Sequence, residues 1–329
     1  MWYVVAFPGR PATAMQTQPP SSPPPRDVGG GVLAIATLAL FLVWSNTFLA
    51  FEVLLVPRSG PAPMGWLDLV VARFVPVVLV CATWCLGPRR RESLAILRRY
   101  PIRLLACGLL AVPAYNGTLF YAMQQKVSGP VASLLTTLSP LYLVLLGAFV
   151  LGERIGRRQV LGLLLGLCGV ALVATAREGG GAYARDVAIL SLAPLSWSVY
   201  SLLTKSVAGN VSPLLWTYLV LVVGGAPLFL LLPFHGGAAM MALDAGGWGV
   251  LLFLSIVATV IGNAVWSWLL RHQPASTTGM TVFLNPPLTA SSKRVLSWLF
   301  PAAFSFTILP REWIGGGLAL AGVALAILG

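Results

Sequence analysis

Lipid offers a polar side chain no partner, so an ionisable or amide group inside an apolar run marks a place where binding or chemistry can occur. In VWSNTFLAFE, Trp44, Ser45 and Asn46 fall at mid-depth and Glu52 near the far end. Asn46 suits either a cavity wall or a bond to another helix. Glu52 suits either a wet interfacial carboxylate or a proton or cation site. Arg73, in VVARFVP, lies a third to half-way into the next apolar run. A guanidinium at that depth must pair, reach water or meet an anion. A bond to a broken helix end, a substrate carboxylate and a pair with Glu52 are all open. Later runs supply Tyr115, Asn116 and Tyr121, then Thr136, Thr137 and Ser139, then Trp197 and Tyr200, then Asn263 and Trp266. Aromatic rings carrying one polar atom make good walls for organic solutes. Trp44, Asn46, Tyr115, Asn116, Tyr121, Trp197, Tyr200, Asn263 and Trp266 are therefore the expected walls of a substrate cavity, with Arg73 orienting an anionic group.

Catalytic chemistry finds little support. There is no HExxH, no GxSxG and no pair of carboxylates within one apolar run. Cys81 and Cys85 have helical i,i+4 spacing, but two thiols alone make a poor metal site, and all four cysteines read as packing residues. His235 and His272 fall in loops at opposite ends of the expected spans. No catalytic residue, metal or cofactor is expected.

The elements that position these residues follow from composition. The 329 residues are 57% hydrophobic and 9% charged, with a mean hydropathy of +0.86. That profile suits a polytopic, all-α membrane protein rather than a soluble domain, with the lipid bilayer as its surroundings. The net charge of +12 does not point to nucleic acid, because the charges sit in short loops between apolar runs. Runs of about 20 apolar residues place about ten spans at Val32–Leu55, Met64–Leu86, Ile102–Met123, Gly129–Leu151, Gln159–Ala176, Val187–Ala208, Ser212–Phe234, Gly247–Leu270, Thr277–Phe300 and Glu312–Leu328. With the N-terminus inside, the inner loops hold 13 Lys and Arg against five outside, most clearly at Arg89–Arg103. Both termini are thus expected in the cytoplasm and the chain in the cell inner membrane. Residues 1–28, with QTQPPSSPPPRD, read as a disordered Pro/Ser-rich extension without a cleaved signal, and Met15 as the natural start.

One pattern occurs twice. Ser128 to Ala174 and Gln273 to Leu328 each begin small and polar and become apolar up to a proline, Pro140 or Pro286. Each ends in a Gly-rich stretch, GLLLGLCGVAL or GGLALAGVAL. Duplication divides the chain into residues 29–178 and 185–329. Five spans per half is an odd number, so the halves enter the membrane from opposite sides, as two inverted five-helix repeats about a midplane site. Pro140 and Pro286 are expected to kink their helices, with Ser139 and Asn285 suited to satisfy the freed backbone. Gly162, Gly166, Gly169, Gly315, Gly316, Gly317 and Gly322 form small-residue faces for close helix approach, within one chain or in a homodimer.

The copies disagree in one place. Pro286 to Gly315 is seven residues longer than Pro140 to Gly162, and it carries Ser291–Arg294 and Pro301–Pro310. Lys293 and Arg294 would lie mid-span at about 2.5–3.5 kcal/mol each on insertion scales. The segment is expected to bend or reach an aqueous cavity, or else to be locally corrupted; a cationic anion site is the third reading.

VWSNTFLAF, ARF, SPLYLVLLGAFVLGERIGRRQVLGLLLGLCGVALV, PASTTGMTVFLNPPLTA and REWIGGGLALAGVALA carry a resemblance over about residues 32–328. The chain resembles the drug/metabolite transporter superfamily, in its EamA-like branch. The resemblance implies ten helices, inverted five-helix repeats, cytoplasmic termini and export or uptake of small metabolites such as amino acids. It also implies a central cavity lined mainly by the third, fourth, eighth and ninth spans. Glu153 occupies the family's glycine-glutamate-arginine turn after the fourth span; the irregular patch replaces the second such turn. The expected function is transport of small organic metabolites, amino acids or their relatives, by alternating access. A membrane enzyme acting on lipid-linked substrate and a non-transporting scaffold are the alternatives.

Overall fold

An unbroken apolar run must satisfy its backbone polar groups internally, which leaves the helix as its structure in lipid. The computed structural model describes residues 29–56, 63–151, 156–176, 181–205, 207, 210–272, 281–301 and 309–328, and its elements are all helical. Among the described residues, eight helices are long and apolar enough to cross a membrane: Gly30–Leu55, Trp66–Leu86, Pro101–Gln124, Gly129–Leu146, Arg157–Ala174, Gly181–Lys205, Pro213–Leu230 and Ala245–Leu269. These coincide with the first eight expected spans. In the ninth position a short 3-10 turn, Thr281–Leu284, leads into the helix Asn285–Leu299, and the tenth holds Pro310–Leu328. A further short helix, Arg90–Arg99, joins the second span to the third, and Ser93 Oγ within it donates to Cys85 O at 2.8 Å. The 1–28 extension with Met15, the Glu153 turn and residues 302–308 of the irregular patch lie outside the described residues.

The helices pair as a duplicated chain would pair them. The fifth packs on the tenth, the second on the seventh and the fourth on the ninth, while the first packs on the eighth as the third does on the sixth. Exchanging the halves maps this set of neighbours onto itself.

The small-residue faces are used within the chain. A Cβ on Gly169 would stand 2.5 Å from Gly315 O and Ala319 N, and one on Gly322 would stand 2.5 Å from Gly162 O. The fifth and tenth helices therefore touch backbone to backbone. A Cβ on Gly108 would lie 2.7 Å from Gly224 N, so the third and seventh helices do the same. Gly317 meets nothing within 4 Å. Overpacking of this kind costs about 1–3 kcal/mol. Gly169→Leu should lower the thermal unfolding midpoint of the detergent-solubilised protein clearly, and Gly317→Leu should leave it unchanged.

The prolines at 140 and 286 do not kink continuous helices. The fourth span breaks at a turn over Thr137–Leu138, and Pro140 lies in the first turn of a new helix, Ser139–Leu151. Pro286 lies in the first turn of Asn285–Leu299. A first-turn proline forfeits only an N–H that the helix would leave unpaired, so the chain restarts its helix at each proline.

Two other interruptions match across the halves. The third span contains the π-helical segment Leu110–Ala114, which includes Pro113, and its counterpart, the eighth, contains Phe253–Ile261. Widened turns of this kind leave carbonyls free for side chains and recur at functional sites. Ala111 of the first segment and Ala258 and Thr259 of the second border the same cavity.

Candidate functional site

The π segments build the site. In the third span Asn116 Nδ2 donates back to Val112 O at 2.9 Å and Ala111 O at 3.2 Å. In the eighth, Thr259 Oγ1 donates to Leu254 O at 2.8 Å. Each side chain thereby takes up a carbonyl of its own widened turn and keeps an oxygen facing inward. Arg73 of the second span donates to both. Its Nη1 donates to Asn116 Oδ1 at 2.8 Å and its Nη2 to Thr259 Oγ1 at 2.9 Å. Ser255 Oγ, one turn before Thr259, donates to Arg73 O at 2.8 Å. One arm of the guanidinium is held by each half of the chain.

No carboxylate pairs with Arg73 among the described residues. Its Nε is buried and has no hydrogen-bond partner. The rings of Phe51, Phe74 and Phe120 stand 5.1, 5.6 and 5.8 Å from the guanidinium carbon. Aromatic faces attract a cation but carry no net charge. The open alternatives for Arg73 thus resolve to neutral partners on two helices, and the suggested pair with Glu52 is not formed.

Arg73 borders a cavity of about 240 Å³. Trp44, Thr47, Phe48 and Phe51 line it from the first span, Tyr115 and Asn116 from the third, and Thr136 and Ser139 from the broken fourth. Trp197 and Tyr200 of the sixth, Thr217 of the seventh, Thr259, Asn263 and Trp266 of the eighth and Asn285 of the ninth complete the polar and aromatic wall. Trp44 Nε1 donates to Ala258 O at 3.0 Å, and its ring lies 5.5 Å from that of Trp266. Gly262 makes room for this indole: a Cβ there would come within 2.6 Å of Trp44 Nε1. On the other side Trp197 packs against Tyr115 at 5.5 Å and Tyr200 at 5.1 Å. Drug-sized pockets run from about 300 Å³ upward, so the cavity fits a single small metabolite.

Seven of the nine expected wall residues border this cavity, as does Arg73; Asn46 and Tyr121 do not. Asn46 turns to the ninth helix, donating to Ser292 Oγ at 3.3 Å and to Leu42 O at 2.8 Å. Tyr121 packs edge-on against Trp66 at 5.9 Å. Thr259, Asn285 and the phenylalanines are lining residues that the sequence did not single out for the wall, although the prominence of Asn285 beside Pro286 was visible. Asn285 Oδ1 is buried and unpaired.

The irregular segment has a built role. Lys293 is buried, and its Nζ lies 2.8 Å from Glu52 Oε1. The same carboxylate oxygen accepts the backbone N–H of Gly129, at the start of the fourth span. Glu52 directly follows Phe51 of the cavity wall, and Lys293 lies two turns beyond Asn285, so this junction lies toward the end of the molecule where the first span finishes. A second tie spans the halves at that end. Asp68 Oδ1 accepts the N–H of Gly236 at 2.8 Å and lies 3.4 Å from His235 Nδ1. Gly236 has φ +86°, a backbone state that favours glycine.

The EamA-like transporter family model matches residues 22–175 and again 186–328. The chain belongs to the EamA-like transporter family. Membership makes this a multi-pass membrane transporter. A probable terminal-alkyne amino-acid exporter of Streptantibioticus cattleyicolor is 29% identical over 89% of this chain and 92% of its own. A probable amino-acid metabolite efflux pump of Escherichia coli (strain K12) is 24% identical over 91% of this chain and 95% of its own. An aromatic amino acid exporter of Ancylobacter novellus is 34% identical over 51% of this chain and 56% of its own. One solved structure superposes with a TM-score of 0.54 at 22% identity, covering 91% of this chain and 98% of that one, a likeness of fold.

Among the described residues no group of three or more His, Cys, Asp or Glu side chains could hold a metal ion. Cys81, Cys85 and Cys107 are buried free thiols and Cys168 is an exposed one.

Proposed function

We propose that this EamA-like transporter exports small amino-acid-type metabolites, holding the solute carboxylate on Arg73 between aromatic walls. The observation that carries the reading is the buried guanidinium with neutral partners, bordering a metabolite-sized cavity formed by both halves. A cation left without a counter-charge in a low-dielectric site is favoured when an anion joins it. Trp44 with Trp266, and Trp197 with Tyr115 and Tyr200, would sandwich a flat apolar body. The relatives named as amino-acid exporters support the solute class and the outward direction.

The movement we propose is the rocking of two inverted five-helix halves around this site, as a protein of the inner membrane with both termini in the cytoplasm. The ties at Glu52–Lys293 and Asp68–His235 would then close the outward end of the cavity. The chain would act without catalysis: the polar groups of the described cavity wall suit binding.

Counterflow in proteoliposomes tests the reading. Vesicles preloaded with unlabelled phenylalanine should accumulate external labelled phenylalanine above protein-free vesicles. Absence of counterflow for phenylalanine and for other amino acids and carboxylates would refute it, and chemical conversion of added lipid would favour an enzyme.

A further inference from the structure

The cavity's charge balance says more than that an anion binds. The chain has nine Asp and Glu residues in all. Six are described, and each is engaged away from the cavity wall. Glu52 holds Lys293 and Gly129, and Asp68 holds Gly65 and Gly236. Glu92 pairs with Arg89 and Asp186 with Arg185, Asp244 caps its own helix at Gly247, and Glu312 caps its own at Leu309. The other three, Asp27, Glu153 and Glu178, lie outside the described residues. The described wall therefore carries one positive charge, Arg73, and no negative one.

That count distinguishes solutes sharing one carbon skeleton. A carboxylate without an amino group makes the cavity neutral. A zwitterionic amino acid leaves it with one uncompensated positive charge, and an amine leaves two. In a water-poor site such a difference is felt strongly. Asn263 and Asn285 offer neutral amide oxygens and the tryptophans offer ring faces. These can take an N–H but do not supply the missing charge.

Resting on the transport reading above, we infer that the cavity selects its solute by the carboxylate and makes no use of an α-ammonium group. Aryl carboxylates lacking the amino group are accordingly substrates at least as good as the matching amino acids, and aryl amines are excluded. The determinant is Arg73, with Asn116 and Thr259 as its positioning residues.

The test uses three solutes of one shape: 3-phenylpropionate, phenylalanine and phenethylamine, in proteoliposomes at neutral pH with protein-free vesicles as blank. Labelled 3-phenylpropionate should show counterflow and should inhibit phenylalanine counterflow at a concentration about threefold or more below that of phenylalanine itself. Phenethylamine should not inhibit. Arg73→Gln should abolish the advantage of the acid over the amine in competition, with an unchanged elution profile showing that the variant is folded. Phenylalanine counterflow without movement of or inhibition by 3-phenylpropionate would overturn the inference and leave the transport reading standing. Equal inhibition by phenethylamine would overturn it too. If none of the three moves or competes, the transport reading fails and the inference with it.

Discussion

Arg73→Gln should raise the half-saturating concentration for a carboxylate solute by about ten- to a hundredfold, because hydrogen bonds to a charged group contribute about 1.5–3 kcal/mol each. Concentration-dependent counterflow of the labelled acid measures this. The effect is large because the guanidinium is held in advance. Asn116 and Thr259 fix its two arms from opposite halves, and Phe51, Phe74 and Phe120 enclose it. Little side-chain freedom remains to be lost on binding. Arg73→Lys keeps the charge but cannot reach both partners in one planar fork. It should therefore recover only part of the loss, while Arg73→Ala should behave like glutamine. Equal half-saturation for wild type and Arg73→Gln would remove Arg73 from the binding site.

Much of this arrangement was legible in the sequence, where the signal was periodic or local. Apolar length located the first eight spans. The glycines at 162, 166, 169, 315 and 322 announced a close helix contact because spacing alone puts them on faces. Arg73 stood out since a cation inside an apolar run always requires an explanation. Asn46 and Tyr121 show where residue type without register falls short. Trp44, Thr47, Phe48 and Phe51 follow i, i+3, i+4, i+7 and share one face of the first helix, whereas Asn46, two residues from Trp44, points elsewhere. Tyr121 is similarly displaced from Tyr115. The π segments had only Pro113 as a local mark in the third span, and the eighth carries no proline in its segment. Their widening is set by neighbours, with Asn116 and Thr259 taking up the carbonyls it frees. Lys293 looked out of place because its counter-charge, Glu52, lies 241 residues away, and no local pattern joins them.

That pair supplies a second large effect. Lys293 and Glu52 are only 10% and 12% exposed, and removing one member of a buried pair costs about 3–5 kcal/mol because the other charge stays behind unpaired. Lys293→Met should therefore lower the unfolding midpoint in detergent sharply. It leaves the Glu52 carboxylate with the Gly129 N–H but without its cation. Glu52→Gln should do the same by stranding the ammonium. The double variant Glu52→Gln/Lys293→Met removes both charges and should recover most of the loss, since neutral replacements of buried pairs are often tolerated. Losses that simply add in the double variant would show that the two groups are not coupled.

The same variants report on opening. In the rocking reading, Glu52 on the first helix and Lys293 on the ninth must part before the cavity can open at that end, and Gly129 ties the fourth helix to the same oxygen. Removing both charges lowers that barrier without stranding a charge. A cysteine at Thr136, which borders the cavity two turns from Gly129, should then react faster with a membrane-impermeant maleimide in the double variant than in wild type. Cys168→Ser would remove the exposed native thiol. The Asp68 contacts with Gly236 and His235 would still hold the second and seventh spans together, so the expected gain is in the rate of labelling rather than permanent exposure. Unchanged labelling, with the double variant folded and stable, would mean that the pair is a structural brace and that the cavity opens elsewhere.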